Sequence, residues 1–267
     1  MKTRIISAIV IIAIFVPILL LGGLPFAIFM GILSAFGLYE LIKTRESQKK
    51  FPKLMKVFAY AMAIAFCMYN YDSIEFSSQF DYRVMALLLF LFLSPIVFID
   101  NSDKYNFGDA LFLIGSLLFI GLSFNLIVVT RNYDITYIIY LLLITTITDT
   151  FALITGMLVG KHKMSPNISP KKTWEGLVGG VLMGTFVATA FYFTVINSNC
   201  SLVFLIFSTM FLCLVGQLGD LVFSSIKRFY EVKDFSNLIP GHGGILDRFD
   251  SLVFVTFAFI ILKGILL

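Results

Sequence analysis

The chain has 267 residues, 59% of them hydrophobic and only 13% charged, with a formal net charge of +4. A mean hydropathy of +0.95 excludes an ordinary soluble domain, in which roughly a quarter of residues are charged. Three isolated cysteines (Cys67, Cys200, Cys213) and two histidines argue against a disulfide framework and against a Cys/His metal centre. Long apolar runs, rather than alternating segments of about ten residues, also exclude a transmembrane barrel. The expected fold class is all-α: a polytopic integral membrane protein with about nine transmembrane helices plus a cytoplasmic interfacial helix and loop. Two regions are expected, with about five spans in 1–130 and a catalytic region in 131–267 carrying cytoplasmic loops 161–176 and 220–250.

Lys2 and Arg4 precede an apolar run over 5–21. The run is long for a signal peptide, lacks a small-x-small cleavage site and leads straight into a second span, so it reads as a retained first helix. The second span is expected over 24–42, with Gly22-Gly23 as a tight external turn. Loop 43–56 carries Lys43, Arg45, Lys49, Lys50, Lys53 and Lys56, a positive-inside anchor that is also suited to anionic headgroups. A third span over 57–69, extending through Tyr71, is followed by a polar loop with Asp72, Glu75, Asp81 and Arg83. The fourth span, 84–99, should kink at Pro95. The fifth covers 110–130.

The sixth span, 137–160, sets Asp149 inside an apolar run among Thr145, Thr146, Thr148 and Thr150. A carboxylate at that depth costs at least about 2.5–3.5 kcal/mol and so needs a polar interior or a partner. Asp149, Gly156 and Gly160 share one helical face, small-sided where another helix or a substrate could approach. A buried acid paired with a lysine for packing is the plainer reading. Loop 161–176 contains two prolines, and its Lys171, Lys172 and Thr173 stand just before a helix starting near Trp174. Cations and a hydroxyl at a helix N-terminus suit an anion, while a second positive-inside loop accounts for the charges equally well. Spans seven, eight and nine are expected over 177–196, 202–218 and 252–267.

Nine spans put seventeen of the twenty Lys and Arg residues on the N-terminal side, leaving Arg83, Arg131 and Lys263. That side is therefore cytoplasmic and the C-terminus lies outside. Both polar loops with chemistry share the cytoplasmic face.

The last polar stretch holds most of that chemistry. Asp220, Ser224, Lys227 and Glu231 fall on one face of a continuing helix, whose other face suits the membrane interface. Pro240-Gly241-His242-Gly243-Gly244 is a turn with bare backbone amides, followed at once by Asp247, Arg248 and Asp250. Acids at a helix start can simply favour its dipole. That reading leaves Arg248, the glycine turn, Asp149 and Asp220 unexplained. Hard oxygen ligands of this kind suit Mg²⁺, and the cations would balance a polyphosphate. The reaction class is metal-assisted phosphoryl or nucleotidyl transfer at the cytoplasmic membrane face.

The run Ser-x-x-Lys-Arg-x₄-Lys-Asp-x₅-Pro-Gly-His-Gly-Gly-x-x-Asp-Arg-x-Asp, ending at Asp250, resembles the signature of the phosphatidate cytidylyltransferases (CDP-diacylglycerol synthases). Asp149-x₆-Gly-x₃-Gly-Lys161 and Ser169-Pro-Lys-Lys-Thr-Trp-Glu-Gly176 resemble the same family. The resemblance covers most of the C-terminal half. It departs at Phe151-Ala152, where alanine followed by an aromatic residue is the pattern. It implies CTP plus phosphatidate giving CDP-diacylglycerol and pyrophosphate, with Mg²⁺, one ion or two, as cofactor. It also implies a homodimer in the lipid bilayer of the plasma membrane (the inner membrane in a bacterium), with no nucleic-acid partner.

By role, Asp220, Asp247, Asp250, Lys227 and Arg248 are the expected catalytic residues, and Asp149, Asp220, Asp247 and Asp250 the expected metal ligands. Lys171, Lys172, Thr173, Ser224, Arg228, Lys233, His242, Gly243 and Gly244 are expected at the substrate. For His242, a phosphate contact, orientation of a carboxylate and a turn-stabilising hydrogen bond all remain open. A transporter would spread its acids along several spans, whereas these cluster near one face. A CDP-alcohol phosphotransferase would need an Asp-Gly-x₂-Ala-Arg motif, which is not found.

Overall fold

A computed structural model describes residues 2–69, 71–72, 82–99, 103–196 and 200–266. Glu75 and Asp81 of the expected acidic loop lie outside the described residues. The chain divides into two units, 1–133 with 234–245, and 134–233 with 246–267.

The first unit contains α1 (Lys2–Leu21), α2 (Gly23–Arg45), α3 (Lys53–Met68), α4 (Tyr82–Leu93), α5 (Pro95–Phe98) and α6 (Phe107–Tyr133). Helices α2, α3 and α6 pack on one another, with α1 against α2 and α4 against α6. Their shared core includes Leu38, Ile42, Met55, Ala63, Phe66, Phe92, Leu113 and Leu117. The expected kink at Pro95 is a break into α4 and α5: Pro95 has no N–H to continue the ladder and sits at the first position of a new helix.

The turn after α1 is built on Gly22, whose φ of 63° is left-handed. Arg131 donates to the carbonyls of Leu19 (2.9 Å) and Leu20 (2.8 Å), closing the helix end. A Cβ on Gly22 would fall 1.7 Å from that guanidinium. Among the described residues, three of the six cations of loop 43–56 are in ion pairs, Lys49 and Arg45 with buried Asp109 at 2.5 Å and 3.9 Å and Lys56 with Glu46 at 2.8 Å. Asp109 also caps α6 reciprocally with Asn106, each side chain accepting the other's backbone N–H.

The second unit contains α7 (Ile135–Val159), β1 (Lys163–Ser165), β2 (Ser169–Thr173), α8 (Trp174–Phe191) with a π-helical turn at Tyr192–Ile196, α9 (Leu202–Phe229) and α10 (Leu246–Leu266). The two strands pair antiparallel, Lys163 opposite Thr173 and Ser165 opposite Ser169. The expected loop 161–176 is thus a hairpin, tolerated despite two prolines because a two-stranded ribbon is all edge.

Helices α7 and α8 approach through glycine. A Cβ on Gly180 would lie 2.5 Å from the Thr148 carbonyl oxygen, and one on Gly184 2.1 Å from Thr148 Oγ1. Gly156 and Gly160 face Thr173 at the start of α8, so their small side is filled by protein.

The expected interfacial helix is not a separate element. Helix α9 continues unbroken from Leu202 to Phe229 because Gln217, Phe223, Ser224 and Lys227 keep burying one stripe. It ends in a Schellman-type cap, with Val232 N–H to Lys227 O at 2.9 Å and Glu231 N–H to Arg228 O at 3.0 Å, Glu231 taking φ 56°.

Among the described residues, five helical stretches are long and apolar enough to cross a membrane: 23–45, 107–133, 135–159, 174–196 and 202–229. Two shorter apolar stretches cover 5–21 and 82–98. An all-α membrane protein therefore stands, but the count of nine spans is not confirmed. Helix α3 has only 16 residues, and α10 opens on Asp247, Arg248 and Asp250, which dilute its apolar run.

Candidate active site

Three separated segments of the second unit meet around Gln217. Asp149, on α7, is exposed, and its Oδ1 accepts from Gln217 Nε2 at 2.7 Å. Its Oδ2 lies 3.5 Å from the Ser251 hydroxyl of α10. Lys172, on β2, donates to the Gln217 carbonyl (3.1 Å) and to its Oε1 (3.0 Å). The same ammonium is 2.8 Å from Asp220 Oδ2, and Asp220 Oδ1 accepts from Ser224 at 3.3 Å. Gln217 thus acts as an adaptor, its amide donating to one acid and its carbonyl accepting from the lysine that holds the next. Sequence reading passed over Gln217 and Ser251. Their signal was a polar side chain within an apolar run, one turn or less from a singled-out acid.

Asp149, Asp220 and Asp250 interact electrostatically with one another, while Asp250 Oδ1 accepts its neighbour Ser251's N–H at 2.7 Å. Asp247 is engaged differently. Its carboxylate, 5% exposed, is held 2.6 Å from Lys227 Nζ, itself 10% exposed. Lys172, paired with Asp220, also interacts electrostatically with Asp149, and Lys227 with Asp250.

Strand geometry separates the two adjacent lysines. Successive side chains on a strand point to opposite faces: Lys172 turns toward Gln217, and Lys171 is exposed. Thr173 is buried and caps α8, accepting the Gly176 N–H at 3.1 Å. Arg228 braces the hairpin, donating to Ile168 O (3.3 Å) and Val232 O (3.0 Å). Lys233 and Arg248 are exposed.

His242, Gly243 and Gly244 belong to the first unit. Gly241 and Gly243 have φ of 78° and 84°, and Ile239 N–H donates to Gly243 O at 2.9 Å across the turn. Gly244 is packed against Glu40 of α2, where a Cβ would sit 2.6 Å from the carboxylate oxygens. That close approach is what its missing side chain allows, and Glu40 was not singled out by sequence reading.

A family model described as the cytidylyltransferase family matches residues 2–266. The chain belongs to that family. A phosphatidate cytidylyltransferase of Staphylococcus haemolyticus is 38% identical over 255 residues, 96% of each chain. Proteins of the same name are 39% identical over 256 residues in Staphylococcus epidermidis and 38% in Staphylococcus aureus, again over 96% of each chain. The cytidylyltransferase family is one of nucleotidyl-transferring enzymes, so the chain is read as an enzyme.

The donor set fits a hard divalent cation. Among the described residues no three His, Cys, Asp or Glu side chains converge closely enough to hold a bare ion. Mg²⁺ typically takes one or two carboxylates and completes its shell with water and substrate phosphate. Asp149, Asp220 and Asp250 could supply those carboxylates.

Proposed function

We propose that this cytidylyltransferase converts CTP and phosphatidate into CDP-diacylglycerol and pyrophosphate in phospholipid biosynthesis. The observation that carries the reading is the linked set Asp149–Gln217–Lys172–Asp220, which joins α7, β2 and α9 in one polar cluster. The relatives named phosphatidate cytidylyltransferase over 96% of the chain support the same substrates.

In this reading a phosphatidate oxygen forms a new bond to the α-phosphorus of CTP, and the bond from that phosphorus to the β-phosphate oxygen breaks. Pyrophosphate leaves with the electron pair. The nucleophile is already anionic, so no general base is required, and rate comes from alignment and charge neutralisation. Lys172 meets the phosphates, with Lys171 and Arg248 as exposed cations beside it in role. Lys227 holds the Asp247 carboxylate in place at the start of α10. Ser224 orients Asp220, and Gln217 orients Asp149. Thr173 and Arg228 hold the hairpin in shape, while Lys233 is assigned to a further phosphate contact. Mg²⁺, one ion or two, would be held by Asp149, Asp220 and Asp250 and would supply charge neutralisation at the phosphates.

Counting α1, α3, α4–α5 and α10 as spans gives nine, with the N-terminus and site cytoplasmic, the C-terminus outside, and a homodimer as the assembly in the plasma membrane. Purified protein with phosphatidate, Mg²⁺ and labelled CTP should form a lipid-soluble nucleotide product. Well-folded protein that forms none, together with Asp220→Asn acting like wild type in cells, would sink the reading.

A further inference from the structure

Residues 234–245 are a detour. The chain leaves the second unit after Lys233, joins the first, and returns at Leu246. What holds the detour is a carboxylate buried to 0% exposure in an apolar helix, Glu40 of α2. Its Oε1 accepts from the Ser236 hydroxyl at 2.5 Å and from the Ile245 N–H at 2.9 Å. One oxygen therefore ties together both ends of the loop. Ser236 also accepts the Leu238 N–H at 3.2 Å, and Ser7 of α1 donates to Pro240 O at 2.9 Å. Phe235 is 5% exposed and anchors the entry. Between the clamped ends lies the turn carrying His242, and directly after Ile245 come the first residues of α10.

A carboxylate in a membrane helix is costly and is kept where it does a specific task. Two hydrogen bonds accepted by one carboxylate oxygen fix both donors in direction, and closing a loop at its ends removes most of its freedom. We infer that Glu40 is a positioning residue for the transfer reaction, clamping both ends of loop 236–245 and so fixing the turn that carries His242 and the peptide that leads directly into α10. This rests on the functional reading above.

The test compares Glu40→Ala, Glu40→Gln and Ser236→Ala with wild type in purified full-length protein, by steady-state kinetics and by amide hydrogen exchange. Exchange at Ile239, Ile245 and their neighbours should quicken in Glu40→Ala. Its kcat should fall about tenfold or more, as small misplacements do, with KM for phosphatidate within about twofold of wild type. Glu40→Gln keeps an acceptor oxygen and should recover most of the rate. Ser236→Ala removes one donor and should show a smaller loss of the same kind, which keeps the test open should Glu40→Ala not fold.

Unchanged exchange in the loop overturns the clamp. Quickened exchange with wild-type kcat in all variants overturns the positioning role and leaves Glu40 a structural residue. A wild-type protein that makes no CDP-lipid defeats the functional reading and the positioning role with it, while the exchange arm still reads the clamp.

Discussion

The Lys172 ammonium lies 2.8 Å from Asp220 Oδ2 and, in the same position, donates to both oxygens of Gln217. On the proposed reading this cation is the one that meets phosphate, and its acid partner, 29% exposed, is accessible enough to be exchanged for substrate. Removing the cation should therefore damage catalysis far more than stability.

Lys172→Ala is expected to lower kcat/KM for CTP by about a hundredfold or more, the scale seen when a stabilising donor is removed from a reacting centre. Asp220→Asn should do likewise, and the double variant should lose much less than the product of the two. Formation of CDP-lipid in a double-mutant cycle measures this; strict additivity would separate the two residues.

The Lys227–Asp247 pair is predicted to behave in the opposite way. Both groups are buried, so Lys227→Met leaves Asp247 without that cation and should cost about 3–5 kcal/mol of stability. Lys227→Met with Asp247→Asn should recover much of the stability and little of the activity. Thermal melting in detergent beside the lipid assay would separate these effects.

Gly184→Ala should destabilise by about 1–3 kcal/mol through overpacking, since its Cβ would come 2.1 Å from Thr148 Oγ1. Gly115→Ala in α6 has nothing within 4 Å of the new carbon and should be neutral or stabilising by about 0.5–1 kcal/mol. The difference between their melting temperatures is the readout. Similar shifts would argue against the close α7–α8 approach.

Chelation of divalent ions should abolish product formation, and added Mg²⁺ should restore it. Asp149→Asn and Asp250→Asn should each raise the Mg²⁺ concentration for half-maximal rate about tenfold or more, in the range of one lost carboxylate ligand or its support. Thr173→Ser, a cap-preserving change, should leave that concentration unaltered. Titration of rate against free Mg²⁺ decides the matter.

Much of this protein was legible in residue order because lipid is a simple solvent. Long apolar runs located α1, α2, α6, α7 and α8 to within a few residues. An acid inside such a run, Asp149, stood out because it is expensive there. Helix α9 was cut short at 218 because its lower half is polar in composition, yet that half buries one stripe and continues. The hairpin was missed because Pro166 and Pro170 read as loop, and propensity says little about a ribbon with no sheet to join. Glu40 went unnoticed near the end of a span, where a charge needs no partner; the residues that bond it, Ser236 and Ile245, are about two hundred positions away.

By itself the sequence determined the solvent, the fold class and the inventory of chemistry: which acids, cations and glycines exist, and how each is spaced along its own helix. Local periodicity and transfer cost suffice for that. Only the tertiary structure decided which of them meet. It turned Lys171 and Lys172 to opposite faces, gave Asp247 to Lys227, joined Asp149 to Asp220 through Gln217, and closed the glycine loop on Glu40. Contacts of this kind depend on how distant segments pack, and spacing within any one segment carries no record of them.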